Sequence, residues 1–200
     1  YVRRARERLD DLWSRAPIER RCVALEHRWM HAETLCYLLH RLPHALKRAP
    51  ARQAMASAPS PRHDFVPVPA GIATLGQRDG QFGWDNEFPQ CDVKVPAFEI
   101  GRHKVTNAQC LRFVLDGAAP PPFWIERDGR WWLRRMFEDV PLPAEAPVYV
   151  TQRQAAAYAA WTSGALPTEA QWHRAACGDD DRAFPWGIDE PSPERGLFDF

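Results

Sequence analysis

The chain has 200 residues, of which 45% are hydrophobic and 12% aromatic, so it is long enough to bury one or two hydrophobic cores. Lysine plus arginine and aspartate plus glutamate both number 26, and this balance gives no electrostatic reason to expect nucleic acid or an anionic membrane as a partner. No apolar run reaches transmembrane length. Five cysteines without a CxxC pair predict reduced thiols in a cytoplasmic protein. The lack of an initiating Met suggests a piece of a longer polypeptide.

Two helices are predicted at the start of the chain. Apolar residues at helical spacing predict the first over residues 1–15, where Pro17 breaks the pattern. The second runs over residues 18–42 and is stopped by Pro43. Its apolar stripe is suited to a helical bundle and consists of Leu25, Leu35, Leu38, Leu39 and Leu42.

Three arginines, Arg3, Arg4 and Arg6, lie close together in the first predicted helix. The simpler interpretation is a solvated face, as most charge runs are. The alternative is that one or two of them bind a substrate carboxylate, because the guanidinium fork fits that group.

The second predicted helix carries His27 and His31, four residues apart. On a helix this spacing puts both imidazoles on one face, one turn apart, so that they could share a metal ion. The alternative is a pair of ordinary surface histidines, because short motifs often match by chance. A zinc protease is disfavoured, since Arg28 stands where that motif needs glutamate.

The composition changes after the helices. Residues 49–64 contain prolines and small residues without apolar periodicity, which predicts an extended linker between two modules. The following module, residues 65–200, mixes short strands with capped helices, so the fold class is α+β. Its predicted elements are strands at 72–76 and 91–100, helices starting after Thr106, Thr151 and Thr168, with capping boxes to Gln109 and Gln171, and an aromatic turn at 184–187.

Several segments of this module match one family in the right order. They are residues 67–71 with 75–76, the run Pro-x-x-x-Val-x-Val-x-x-Phe-x-Ile at 89–100, Val-Thr-Asn at 105–107, Leu-Pro-Thr-Glu-Ala-x-Trp at 166–172, and Phe-Pro-Trp-Gly at 184–187. The module therefore resembles the formylglycine-generating-enzyme/sulfatase-modifying-factor family, which has a C-type-lectin-like fold.

The helical part has a resemblance of its own. The pattern His-x-x-x-His-x-Glu, formed by His27, His31 and Glu33, resembles the iron-binding helix of the DinB-like domain that is fused to such a module in ergothioneine-type synthases. The turn at 83–87 also looks like that subfamily. The resemblance implies a partial DinB-like helical bundle at 1–48, a linker at 49–64 and the C-type-lectin-like domain at 65–200.

The resemblance also implies an activity. Such an enzyme is a mononuclear non-heme Fe(II) oxidoreductase that uses O2 to join a sulfur or selenium donor to C2 of the hercynine imidazole, in ergothioneine or selenoneine biosynthesis. His27 and His31 would bind the iron, and a third histidine would come from an upstream helix. Glu33, about 200° around the helix from His31, would support the ligands without binding the metal. The catalytic residues would lie beyond Phe200.

Candidate substrate residues follow from the same comparison. Many relatives have glutamine before the second histidine, where it helps to hold hercynine, and Met30 stands there instead. Trp84 and Asp85, in the subfamily-like turn, are further candidates, beside Arg3 and Arg6. The helix variant and the Arg/Ala/Pro-rich composition lean towards the selenoneine-synthase branch, whose donor is a selenosugar. The sulfur alternatives are cysteine and γ-glutamylcysteine.

Two other functions remain open. A formylglycine-generating oxidase of a peptide cysteine would need a catalytic cysteine pair, which would lie beyond Phe200. The thiols of Cys110 and Cys177 could also be nucleophiles, but neither has a recognisable pairing partner, and free cysteines are more often buried small hydrophobic residues. A non-catalytic lectin-like binding module is the second alternative, because fold does not fix function.

The remaining aromatic and histidine residues also have two interpretations. Trp124, Trp131 and Trp132 could form a pocket for a trimethylammonium group or pack in the core. The other histidines have no ligand-like spacing and are interpreted as surface or capping residues: His40, His44, His63, His103 and His173.

Overall fold

The structure is a computed structural model, and it describes residues 2–50, 64–178, 182 and 184–196. The chain forms two compact units. The helical unit comprises Tyr1–Ala54 and Arg134–Val140, and the mixed unit comprises Met55–Leu133 and Pro141–Phe200. Most of the predicted linker, residues 51–63 with His63, lies outside the described residues.

The helical unit contains two α-helices, α1 at Val2–Trp13 and α2 at Ile18–Arg41, followed by a 3-10 turn at His44–Leu46. Pro17 lies directly before α2, and Leu42 leaves the helical region with φ −63° and ψ 149°. A residue that precedes proline is disfavoured in helical geometry, which explains why α2 ends before Pro43. Both predicted helices are therefore confirmed to within two or three residues at each end.

The apolar side chains of the helical unit are largely exposed. No residue of α1 or α2 is buried, and in the predicted leucine stripe of α2, Leu35 is 58% exposed and Leu25 47%. The described residues thus do not form a bundle core, and the DinB-like bundle stays a prediction. Among the described residues, no helix combines the length and apolarity that a membrane span requires.

Seven short strands among the described residues form three sheets. Strand β1 (Phe65–Val68) pairs with β4 (Phe98–Gly101), and β2 (Gly71–Leu75) pairs with β3 (Cys91–Val95). The third sheet has the order β5-β6-β7, with bounds Trp124–Arg127, Arg130–Arg134 and Asp139–Pro141.

The prediction of one continuous strand over 91–100 is wrong. The strand is interrupted at Pro96 and Ala97, and its two halves pair with different partners. Proline has no N–H to donate to a sheet ladder, so Pro96 fits the point at which the chain leaves one sheet for the other.

Three helices complete the mixed unit: α3 at Asn107–Leu115, α4 at Gln152–Trp161 and α5 at Glu169–Cys177. Each begins with a threonine–glutamine capping box, which confirms the boxes predicted at Thr106 and Thr168 and adds one at Thr151. At α3, for example, the Thr106 N–H donates to Gln109 Oε1 at 2.9 Å. These reciprocal bonds satisfy backbone donors that a helix start leaves free.

The buried residues lie in the mixed unit and include polar groups. Asn107 is 1% exposed and its Nδ2 donates to the Pro143 carbonyl at 2.8 Å, while its own N–H donates to the Ala146 carbonyl at 2.9 Å. Arg174 of α5 is 5% exposed and lies against Gly71 of β2, where an added Cβ would be 2.6 Å from the guanidinium. The start of α3 and the packing of α5 on β2 thus both depend on specific side chains.

Gly76, directly after β2, fixes the turn that carries two candidate substrate residues. Its φ is +79°, and a Cβ there would lie 2.6 Å from the Glu87 carbonyl oxygen and 3.0 Å from that of Pro89. Gly80 has a similar φ of +85° but no heavy atom within 4 Å of its added Cβ. Substitution of each glycine by alanine therefore distinguishes the free-energy cost of a positive φ from that of a steric clash.

We expect Gly76→Ala to lower the free energy of unfolding by about 2–4 kcal/mol, because a left-handed conformation and overpacking against backbone add together. Gly80→Ala should cost only about 1–2 kcal/mol, from the conformation alone. Denaturant unfolding of both variants measures the difference. Equal destabilisation of the two would contradict the close approach at Gly76.

Candidate functional site

The structure brings the two predicted metal ligands together. The rings of His27 and His31 lie on one face of α2 with centroids 4.5 Å apart and planes at 87°. Both side chains are exposed. An uninterrupted helix produces this contact directly, since residues four apart are neighbours on its surface.

The chemistry of the pair suits metal binding. Neutral imidazole nitrogen is a good ligand for iron, copper, nickel and zinc, so the chemistry of the two side chains fits a non-heme iron. Within the described part of the chain, no cluster of three or more histidine, cysteine, aspartate or glutamate side chains could hold a metal. The two imidazoles therefore fit an iron ion as two ligands of a larger set.

The other candidates in the helical unit lie on exposed surface. Met30 is 52% exposed, and Glu33 is also exposed. In α1, Arg6 is exposed, and Arg3 Nε lies 3.7 Å from Glu7 Oε1 in a solvent-exposed pair that leaves the guanidinium accessible. The roles predicted for these four residues stay predictions.

In the mixed unit, Trp84 and Asp85 stand on a well-fixed turn. The Trp84 N–H donates to Glu87 Oε2 at 2.6 Å and the Glu87 N–H returns to the Trp84 carbonyl at 2.9 Å. The Gln77 N–H donates to the Glu87 carbonyl at 2.7 Å, which ties the turn to the end of β2. Trp84 is 38% exposed and Asp85 is exposed, so both are accessible on a rigid support.

Two histidines have contacts that the sequence analysis missed. His40 Nε2 is 3.0 Å from the Arg134 carbonyl, and His44 Nε2 is 3.1 Å from the Arg135 carbonyl, and both side chains are half-buried. The partners are 94 and 91 residues away along the chain. No local pattern signals such a contact.

The tryptophans of β5 and β6 pack within the mixed unit. Trp124 is 8% exposed, and its ring centroid lies 5.6 Å from that of Trp131. The Arg127 guanidinium covers the Trp132 ring at 5.9 Å. These contacts confirm core packing for Trp124 over an open ammonium pocket.

The described thiols differ in exposure. Cys110 is 4% exposed, and burial raises its pKa, whereas Cys36 and Cys91 are exposed and Cys177 is half-buried. A raised thiol pKa keeps the sulfur protonated and unreactive at neutral pH. The interpretation of Cys110 as a buried hydrophobic residue is therefore confirmed.

Short paired strands, helices with capping boxes and an aromatic-pinned turn make the second module α+β, and a helix with paired histidines precedes it. Comparison with known families agrees. Residues 51–196 match the sulfatase-modifying factor enzyme 1-like domain. The chain belongs to this family, as its sequence motifs predict.

Curated relatives carry three kinds of name: hercynine oxygenase, formylglycine-generating enzyme and ergothioneine biosynthesis protein 1. Hercynine oxygenase of Mycolicibacterium smegmatis is 32% identical over 218 residues, which cover 94% of this chain and 50% of the relative. Hercynine oxygenase of Mycobacterium tuberculosis is 36% identical over 133 residues, covering 54% of this chain and 31% of the relative. Formylglycine-generating enzyme of Bos taurus is 29% identical over 163 residues, covering 64% and 44%. The chain thus spans half or less of the length of these relatives.

The cysteine environments give a prediction. In the folded protein at pH 7.5, iodoacetamide should alkylate Cys36 and Cys91 readily and Cys110 at least tenfold more slowly, because its thiol is buried and protonated. Mass spectrometry of the digested protein measures the three rates, and urea-unfolded protein is the control in which they converge. Fast labelling of Cys110 in the native state would show a reactive thiol and favour thiol chemistry there.

Proposed function

We propose that this chain is part of a non-heme iron(II), O2-dependent synthase that joins a sulfur or selenium donor to C2 of the hercynine imidazole. The donor would be cysteine, γ-glutamylcysteine or a selenosugar, and the product would be a sulfoxide or selenoxide on the route to ergothioneine or selenoneine. The observation that carries the proposal is the contact between His27 and His31 on α2, in a region shared with a relative named hercynine oxygenase.

The extent of that relative's alignment supports the proposal. It covers 94% of the 200 residues, which leaves 0.06 × 200, about 12 residues, unaligned. Residues 13–188 therefore fall inside it whichever end the unaligned residues occupy, and α2 with both histidines is included. This overlap supports the hercynine-type activity, because the part shared with that relative includes the helix that carries the paired histidines.

The proposed roles follow from the chemistry of each side chain. His27 and His31 would each hold the iron through one unprotonated ring nitrogen. When bound, the iron would supply O2 activation and an electrophilic site for the donor chalcogen. Glu33, on another side of α2, would support the positions of the two ligands without binding the metal.

Substrate recognition is assigned to charged and aromatic groups. Hercynine carries a carboxylate and a trimethylammonium group. The exposed guanidinium groups of Arg3 and Arg6 suit the carboxylate. The exposed indole of Trp84 and the carboxylate of Asp85 suit the ammonium, since cations bind to aromatic faces and to negative charge. Met30, where relatives have glutamine, would replace a hydrogen bond by an apolar contact.

The formylglycine-generating oxidase remains the second candidate, because relatives of that name align with 64% and 62% of the chain. It requires a reactive cysteine, and burial raises the pKa of Cys110 instead of lowering it. A purely binding lectin-like module is the third, and it predicts no O2 consumption with any donor.

The decisive experiment uses the full-length protein loaded with iron(II) under anaerobic conditions. We expect about one iron per chain in the wild type and a loss of at least tenfold in iron affinity in His27→Ala and in His31→Ala, because each removes one ligand. His103→Ala, at an exposed position outside the site, is the matched control and should retain the metal. Metal content is measured by mass spectrometry after gel filtration.

Turnover is then followed by O2 consumption with hercynine and each of the three donors. The proposal expects O2 uptake that needs both hercynine and one donor and that both histidine variants lose. Full metal retention in either variant, or O2 uptake with a cysteine peptide and none with hercynine, would contradict it. The preferred donor decides between sulfur and selenium.

A further inference from the structure

The carboxyl end of α2 is bound to a distant segment of the chain within the helical unit. His40 Nε2 and His44 Nε2 lie 3.0 and 3.1 Å from the carbonyl oxygens of Arg134 and Arg135. Since a carbonyl only accepts, each ring nitrogen must donate. In return, Arg134 Nη2 donates to the Leu42 carbonyl at 2.7 Å. We call the side chains of His40, His44 and Arg134 the α2 clamp.

A lysine completes the end of the helix. Lys47 Nζ donates to the His40 carbonyl at 3.3 Å. Two cationic side chains, Lys47 and Arg134, thus bind carbonyls in and directly after the last turn of α2. Cations are favourable there because the helix dipole is negative at its carboxyl end. Desolvation and the neighbouring Arg134 guanidinium lower the pKa of Lys47, in keeping with two cations gathered at this one place.

The segment that α2 binds, Arg134–Val140, belongs to the helical unit, whereas the chain before and after it belongs to the mixed unit. It is folded on itself, with the Arg135 N–H donating to the Glu138 carbonyl at 2.9 Å. Arg134 and Arg135 are half-buried. It is therefore an ordered partner for α2.

We propose that the α2 clamp positions the metal-binding face of α2: His40, His44 and Arg134 fix the carboxyl end of the helix on the segment Arg134–Val140 and so hold His27 and His31 in one direction. This inference rests on the proposed function for the role of the two histidines. It adds residues that neither the family match nor the motif analysis assigns.

Helix geometry explains how contacts at the carboxyl end of α2 affect the positions of His27 and His31. α2 contains no glycine or proline between Ile18 and Arg41, so it moves as one rod. His31 lies nine residues before His40, or roughly 13 Å at 1.5 Å per residue. A tilt of about 10° at the clamp would therefore move His31 by about 2 Å, while ligand positions must hold to about 0.5 Å. No residue of α2 is buried, so apolar packing within the described residues does not fix that tilt.

The test compares two double variants of the full-length protein, His40→Ala/His44→Ala and His40→Gln/His44→Gln. Glutamine places an N–H donor near the position of His Nε2, so it keeps the bonds that alanine removes. His103→Ala is the matched control. The measurements are hydrogen exchange of the amides in 134–140 and iron(II) affinity.

We expect the alanine pair to raise amide exchange in 134–140 at least tenfold and to weaken iron binding by about 10–100-fold, the range found when a residue that supports a ligand is removed. The glutamine pair should return both values to within about threefold of the wild type. Unchanged exchange and affinity in the alanine pair would overturn the proposal. Equal losses in both pairs would also overturn it, because the donated hydrogen bond would then not be the cause.

Two further outcomes are separable. If the alanine pair does not fold, Arg134→Met is used instead, because it removes the bond to Leu42 and keeps the aliphatic stem. This variant should raise amide exchange in 134–140. Unchanged exchange would contradict the clamp. If wild-type protein binds no iron, the proposed function fails, and the exchange measurement alone then decides whether the clamp holds the helix.

Discussion

The structure's candidate chemistry depends on one constraint, the regularity of α2 between two prolines. Twenty-four residues without an interruption place His27 and His31 one turn apart, with ring centroids at 4.5 Å. A break between them would separate the rings, because residues four apart are neighbours only while the helix is continuous. The same regularity makes the helix rigid, so that contacts at its carboxyl end, at His40 and His44, act on the direction of the whole element.

The sequence predicted those features that are decided locally. The bounds of α2 follow from Pro17 and Pro43, and the capping boxes at Thr106 and Thr168 are settled within four residues. The interruption at Pro96 was missed because it depends on which strands pair with each half. The contacts of His40 and His44 were missed because their partners are more than 90 residues away. In the candidate site, spacing alone predicted that the two histidine rings meet, while Met30, Glu33 and the arginines are exposed and their roles stay predictions.

The mixed unit belongs to a family in which one fold appears in proteins named for different reactions, so the fold itself does not select the reaction. What distinguishes this chain is the helical segment before the module. It carries paired imidazoles, an exposed leucine stripe and an arginine-rich first helix, and it falls within the alignment to a hercynine oxygenase. The buried, protonated Cys110 thiol gives the alternative chemistry no nucleophile at that position.

The most direct test is a crystal structure of the iron-loaded full-length protein, with diffraction data on both sides of the iron absorption edge. We predict one anomalous difference peak within bonding distance of a ring nitrogen of His27 and of His31. A peak bound by other side chains, with these two imidazoles facing solvent, would contradict it.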